Sequence, residues 1–135
     1  MRAGIEMRAA HFPGRAPIDA YGAGGFRFAE MSHQGSILML PSGIYAWDVT
    51  SFADISMGKL SEVVADAEEI EVLLFGCGND LMPVPKALRD ELSALGIRTE
   101  PMSTGAAVRT YNVLMAEDRQ VAAALIAVDE AKLAR

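Results

Sequence analysis

The chain has 135 residues, of which 51% are hydrophobic and 22% are charged, with a formal net charge of -6 at pH 7. This balance is typical of one globular domain with a single core, and the negative charge argues against nucleic-acid binding, which needs a basic face. The single cysteine excludes an internal disulfide and fits the reducing cytoplasm, and no apolar run approaches the roughly 20 residues of a membrane-spanning helix.

The first part of the chain, residues 1–17, is expected to be a flexible arm. It contains two residues that break regular structure, Pro13 and Pro17, and it lacks the apolar core of a secretory signal. A single domain is expected from 18 to 128, followed by a frayed tail over 129–135.

A glycine-rich segment, Tyr21–Phe28, is the first distinctive pattern. Its spacing resembles a dinucleotide-binding loop, but Arg27 stands where that fingerprint requires its last glycine, and no strand is predicted before it. We interpret the segment as a flexible turn or bulge that enters a strand at Phe26–Glu30.

Two apolar runs follow, Ser36–Leu40 and Ile44–Trp47, and the Pro41–Gly43 turn between them predicts a β-hairpin. Because side chains alternate along a strand, Tyr45 and Trp47 share one face. These two aromatic residues are either buried beneath another element, which we favour, or exposed as a contact surface for a partner.

A helix is predicted over about Met57–Ala67, with Ser56 as its cap, because apolar residues recur at helical spacing. The run Ile70–Phe75 is apolar at nearly every position, which predicts a central strand covered on both faces. Acidic residues concentrate around these elements, and they form either a solvated helix end or a docking face for a basic partner. They are Glu62, Asp66, Glu68, Glu69 and Glu71.

The second half of the chain alternates helices and strands. Pro85 suits the first turn of a helix that Gly96 ends, and a strand over Ile97–Met102 follows. A third helix begins near Thr104, and Val121–Val128 is the last predicted strand. Strands separated by helices favour parallel pairing, so we predict an α/β fold: three layers, a mixed central β-sheet with helices on both faces, and an added β-hairpin unit.

The turn after the central strand is the first candidate site, because ligands of open α/β sheets bind at the carboxyl ends of strands. Its residues are Gly76, Cys77, Gly78 and Asn79. Leu81 replaces the third glycine of a dinucleotide fingerprint, so we interpret these glycines as turn geometry. The spacing places neither His11 nor His33 beside Cys77, so neither a catalytic thiol nor a metal site is predicted.

The third helix carries the second candidate group of ligand-binding or partner-binding residues. They are Thr104, Arg109, Tyr111 and Asn112. If the helix starts at Thr104, its first amide groups suit an anion. Asn112 lies in mid-helix among apolar residues, where a buried amide must be hydrogen-bonded. It either ties the helix to a neighbouring loop, which we favour, or binds a ligand.

Three segments together resemble the Mth-domain family of small α/β proteins: VLLFGCGN, LGI and STGAAVRTYNVLMAEDRQVAAALI. The family includes a mitochondrial NADH dehydrogenase (complex I) assembly factor, an adipogenesis-associated protein and many bacterial members, and it has no agreed substrate or cofactor. The resemblance therefore implies the three-layer fold, a role in binding partner proteins, and no cofactor. Cys77 stands where threonine is common in the family. The residues that match its pattern are Gly76, Gly78, Thr104, Tyr111 and Asn112.

Two main hypotheses for the function follow. The first is a non-enzymatic protein-interaction or assembly-factor-like domain that acts in respiratory-complex maturation on an unidentified protein partner. The alternative is a small-ligand or anion binder, or an undiscovered enzyme, that uses the cleft between the Gly76–Asp80 turn and the start of the third helix. A thiol sensor at Cys77 is a third, minor hypothesis.

Overall fold

A six-stranded mixed sheet and a smaller antiparallel sheet combine with three helices in the computed structural model, which describes residues 12–129 and the backbone of Lys132–Leu133. The strands are β1 (Phe12–Pro13), β2 (Ile18–Gly22), β3 (Gly25–Phe28), β4 (Met31–Gln34), β5 (Ser36–Leu40), β6 (Gly43–Trp47), β7 (Val72–Gly76), β8 (Arg98–Met102), β9 (Val121–Leu125) and β10 (Lys132–Leu133). The helices are α1 (Ser61–Ala65), α2 (Lys86–Ala94) and α3 (Thr104–Ala116), and single 3-10 turns cover Phe52–Asp54, Met57–Leu60 and Ala67–Glu69.

The large sheet has the strand order β1-β6-β5-β9-β7-β8. Strand β7 lies parallel to β8 and β9, whereas β5 pairs antiparallel with β6 and β9. Leu74 is therefore in register with Ala123 on one side and Glu100 on the other. All 5 residues of β7 are buried, which confirms the prediction of a central strand covered on both faces.

Two hydrophobic cores, one on each face of the large sheet, produce the three layers. Val72 and Leu74 of β7 belong to the core beneath α3 and the small sheet, whereas Leu73 and Phe75 belong to the core beneath α1 and α2. This alternation follows the period of two that a strand imposes on its side chains. The predicted α/β fold, with a mixed sheet and helices on both faces, is therefore confirmed.

The predicted β-hairpin is formed by β5 and β6, with Met39 in register with Ile44. The Trp47 indole is buried, and its Nε1 donates to the Lys59 carbonyl at 2.7 Å. Tyr45 is half-buried, and its hydroxyl shares a hydrogen bond of 2.7 Å with the Ser42 hydroxyl. Trp47 thus lies beneath the Met57–Leu60 turn and offers little surface to a partner.

The glycine-rich segment is a tight hairpin between two strands of the small sheet, whose order is β10-β2-β3-β4. The expectation that no strand precedes these glycines is wrong, because β2 does. The sequence gives no clear signal for β2, because its five residues are too few and too mixed in polarity to show a clear alternation. Ala23 and Gly24 have positive φ angles of 51° and 79°, as a hairpin turn of this kind requires. Gly25 lies against the backbone of His33, where a side chain would overlap.

The predicted helix over Met57–Ala67 is wrong in its continuity, because two 3-10 turns flank the short α1. Leu60 breaks the helical path with φ -120° and ψ 26°. The Trp47 indole takes the Lys59 carbonyl, which in a continuous helix would accept from the amide of Val63. A contact from another element therefore overrides the local helical pattern.

Both ends of the chain add short strands. Phe12 of β1 lies opposite Ile44 of β6, and Lys132 of β10 lies opposite Tyr21 of β2. These two strands lie within the expected arm and the expected tail, and a neighbouring edge strand takes up their backbone groups. The rest of the expected arm, residues 1–11, lies outside the described residues. Strand β9 ends at Leu125, three residues short of the predicted boundary.

A pair of backbone hydrogen bonds from Asn112 yields the first prediction. Asn112 Nδ2 donates to the Ile18 carbonyl at 2.8 Å, and the Ile18 amide donates to Asn112 Oδ1 at 2.9 Å, so this side chain ties α3 to β2. We expect Asn112→Ala to lower the free energy of unfolding by about 1–3 kcal/mol, because two inward-facing backbone groups lose their partners. Urea denaturation measures this loss. The exposed Asn79→Ala serves as the control, and an equal loss in both variants would contradict the tie.

Candidate functional site

The carboxyl end of β7 meets the start of α3 at Gly76. A side chain there would lie 2.8 Å from Leu125 Cδ2 and 3.1 Å from Thr104 Cα, so glycine is needed for this close approach. The Gly76 carbonyl accepts from the Ile126 amide at 2.9 Å, and the Cys77 amide donates to the Met102 carbonyl at 2.8 Å. The turn after β7 is thus held by the segments that follow β8 and β9.

Thr104 joins three chain segments through its hydroxyl and amide. Its hydroxyl donates to the Ile126 carbonyl at 2.7 Å and accepts from the Gly78 amide at 3.0 Å. Its own amide donates to the Gly78 carbonyl at 2.8 Å. The side chain is fully buried, so its hydroxyl serves the backbone on both sides and does not face solvent.

A small polar cleft opens in front of this junction, with a volume of about 160 Å³. We call it the α3 cleft, and its lining residues are Tyr21, Gly78, Asn79, Ser103, Gly105, Arg109 and Val128. Ser103 caps α3, since its hydroxyl accepts from the Ala106 amide at 3.4 Å. Gly78 has a φ of 101° and open space where a side chain would stand, so the turn leaves the cleft accessible.

The α3 cleft unites only some of the residues predicted from sequence. Gly78, Asn79 and Arg109 line it, whereas Gly76 and Thr104 form the packed junction behind it. Tyr111 and Asn112 lie further along α3 and do not line it. Sequence reasoning did not nominate four lining residues: Tyr21, Ser103, Gly105 and Val128. Of these, Ser103 carries a local signal as a helix cap, and Gly105 lies in the first turn of the same helix. Tyr21 and Val128 reach the cleft through tertiary packing.

Tyr111 is a core residue. It is fully buried in the core beneath α3. Burial raises the pKa of Tyr111, and the neighbouring Arg15 guanidinium opposes that rise. Its hydroxyl therefore stays neutral at physiological pH and is positioned to pack the core rather than to meet a ligand at the cleft.

Cys77 points away from the α3 cleft into the other core, with α1 and α2. Its Sγ lies 3.8 Å from the Phe75 carbonyl oxygen and 3.6 Å from that of Met82. Burial raises the pKa of the Cys77 thiol, and backbone hydrogen bonds with Met82 and Met102 offset this only in part. The described residues contain no group of three His, Cys, Asp or Glu side chains that would hold a metal ion. A buried, protonated thiol is a poor nucleophile.

The sequence of this chain matches a described protein family. Residues 18–126 match the family described as protein of unknown function (DUF498/DUF598). The chain belongs to this family. An uncharacterised protein of Rhodobacter capsulatus is 44% identical over 115 residues, which cover 85% of this chain and 87% of the relative. NADH dehydrogenase (ubiquinone) 1 alpha subcomplex assembly factor 3 of Danio rerio is 36% identical over 109 residues, which cover 81% of this chain but 63% of that protein.

Solved structures of related proteins share this fold. One, described as an outer membrane protein from Bartonella henselae, is 57% identical, with a TM-score of 0.85 over 88% of this chain and 100% of the other. Another, described as a Mth938-like domain of Bordetella pertussis, is 32% identical, with a TM-score of 0.72 over 85% of this chain and 88% of the other. The Mth-like resemblance is therefore confirmed. Among the described residues, no helix has the length and apolar character needed to cross a membrane.

The Thr104 junction yields the second prediction. We expect Thr104→Val to lower the free energy of unfolding by about 1–3 kcal/mol, because the Gly78 amide and the Ile126 carbonyl lose their shared partner. Thr104→Ser keeps the hydroxyl and is expected to retain most of the stability. Urea denaturation measures the free energy of unfolding of the wild type and of both variants. A valine variant as stable as the wild type would show that the hydroxyl is dispensable.

The Cys77 environment yields the third prediction. We expect iodoacetamide to modify the folded protein at least about tenfold more slowly than the urea-unfolded chain at neutral pH, because a raised pKa and burial both reduce thiolate exposure. The sign follows from the shift: the thiolate fraction in the folded state rises only at higher pH than in the unfolded chain. Mass spectrometry follows the reaction. Fast modification of the folded protein would instead support a thiol sensor.

Proposed function

We propose that this chain is an assembly-factor-like protein-interaction domain that acts in the maturation of a respiratory NADH dehydrogenase. The observation that carries the proposal is the likeness to the Danio rerio assembly factor over 81% of this chain. The aligned region covers 63% of that relative. The partner of this chain and the assembly step in which it acts are therefore proposed from this chain's own surface. We expect the domain to act in the cytoplasm, which suits its single free cysteine.

The surface best suited to a protein partner lies at the amino end of β7. A cleft of about 470 Å³ opens there between α1 and the end of α2. Its apolar residues Val64 and Leu95 are 38% and 41% exposed. We call it the acidic cleft, and its lining residues are Val64, Ala65, Asp66, Ala67, Glu68, Glu69 and Leu95.

Charge indicates the chemistry of the occupant. Glu68 and Glu69 are exposed and form no ion pair with any residue in 12–129, and no basic side chain from the same residues lines the cleft. Asp66 accepts from the Ser42 amide at 2.9 Å, which holds the wall against the β5–β6 hairpin. We therefore propose a basic partner segment whose apolar side chains cover Val64 and Leu95. The same negative charge disfavours a nucleic-acid partner.

Deletion of the gene in its native host, followed by native gel electrophoresis, yields the fourth prediction. We expect less assembled NADH dehydrogenase and an accumulation of its subcomplexes. The double variant Glu68→Lys/Leu95→Ser should fail to restore assembly, because it reverses a charge and removes an apolar contact in the acidic cleft. The affinity of this double variant for a subcomplex purified from the deletion strain should fall by about tenfold or more.

The matched control makes the same two changes on the other side of the sheet. Glu117→Lys/Val113→Ser alters one exposed acid and one exposed apolar residue of the α3 segment and should restore assembly fully. Unchanged NADH dehydrogenase in the deletion strain would contradict the proposed role. Normal assembly with the cleft variant would contradict the proposed surface, as would a concentration-dependent dimer that only this variant loses, because a second copy would then be the occupant.

A further inference from the structure

The α3 cleft lies at the opposite end of β7 from the acidic cleft and has a different chemistry. Among residues 12–129, no carboxylate lines it, although the whole chain carries a net charge of -6. Its lining comes from four separate segments: β2, the turn after β7, the start of α3 and the segment after β9. Hydrogen-bond donors therefore surround the cleft from several directions.

The first turn of α3 supplies backbone donors. The Thr104 amide is taken by the Gly78 carbonyl and the Ala106 amide by the Ser103 cap. The intervening amide, that of Gly105, has no carbonyl four residues before it within the helix. The dipole of the 13-residue α3 adds positive potential at this end.

Tyr21 provides evidence for a ligand that is independent of the helix start. The residue is only 8% exposed, its ring packs in the core beneath α3, and it lines the cleft. Its hydroxyl forms no hydrogen bond with any residue in 12–129. The hydroxyl sits so close to Gly105 that a side chain on Gly105 would overlap with it. A tyrosine buried to this extent usually has a partner for its hydroxyl, and a ligand in the cleft supplies one.

Arg109 brings the positive charge. It follows Gly105 by four residues, so both lie on the same face of α3. A Cβ placed on Gly105 would lie 3.5 Å from Arg109 Nη1, and the guanidinium makes no ion pair with any residue in 12–129. The guanidinium, the Tyr21 hydroxyl and the start of the helix thus converge on the space above Gly105.

We propose that the α3 cleft binds a phosphate group, either as inorganic phosphate or as the head of a small phosphomonoester. Arg109 and the Tyr21 hydroxyl donate to the phosphate oxygens, and the Gly105 amide donates from the helix end. Donors arranged around several sides suit a tetrahedral anion better than a planar carboxylate. A volume of about 160 Å³ accommodates such a group and leaves the remainder of an ester outside.

Titration of the full chain with inorganic phosphate, at ionic strength kept constant with sodium chloride, tests this proposal by backbone-amide NMR. We expect a saturable shift of the Gly105 amide. Arg109→Gln should weaken phosphate binding about tenfold, because it removes the positive charge, and Tyr21→Phe by severalfold, because it removes the hydroxyl donor. Arg27→Gln removes an exposed arginine on β3 and should bind like the wild type.

Several results would overturn the site. Shifts that do not saturate, a silent Gly105 amide, or equal weakening by Arg27→Gln and Arg109→Gln would each show nonspecific attraction. Acetate that binds as tightly as phosphate would overturn the tetrahedral assignment. Glycerol 1-phosphate provides the second arm: tighter binding than inorganic phosphate identifies an ester, and weaker binding identifies the free anion. The amide spectrum of each variant confirms that it is folded, so a loss of binding is read on an intact domain.

Discussion

At the carboxyl end of β7, the fully buried Thr104 hydroxyl donates to the Ile126 carbonyl and accepts from the Gly78 amide. This contact needs Gly76, because a side chain there would meet Thr104 and Leu125. The turn after β7, the start of α3 and the segment after β9 are therefore set relative to one another by one hydroxyl. Every feature of the α3 cleft depends on that junction, since its walls are those three segments together with β2.

The junction also explains why the predicted site residues divide into two groups. Residues whose side chains form hydrogen bonds with the backbone, such as Thr104 and Asn112, stabilise the fold. Arg109 has no such partner among residues 12–129 and remains available. Sequence proximity alone does not separate these roles, because both groups lie on the same helix. Tertiary hydrogen bonding does.

The two clefts lie at opposite ends of β7 and differ in charge. The acidic cleft combines Glu68 and Glu69 with the exposed Leu95, as suits a protein surface. The α3 cleft has no carboxylate from residues 12–129 and is lined largely by polar groups. Under the two proposals, a protein partner binds at one end of the domain and a phosphate at the other, with the buried sheet between them. The proposal for the acidic cleft draws on the family relationship, and the proposal for the α3 cleft draws on hydrogen-bonding geometry.

Strong periodicity and turn chemistry determined much of the fold from the sequence. The apolar β7, the β5–β6 hairpin, the Gly96 helix end and the start of α3 near Thr104 all follow from local rules, because buried strands and helix caps impose residue types at fixed spacing. Only the tertiary structure decided that β2 exists, that the helix near α1 is interrupted, and that Tyr21 reaches Gly105. Each of these depends on contacts between residues far apart in sequence, whose energy is absent from any local pattern.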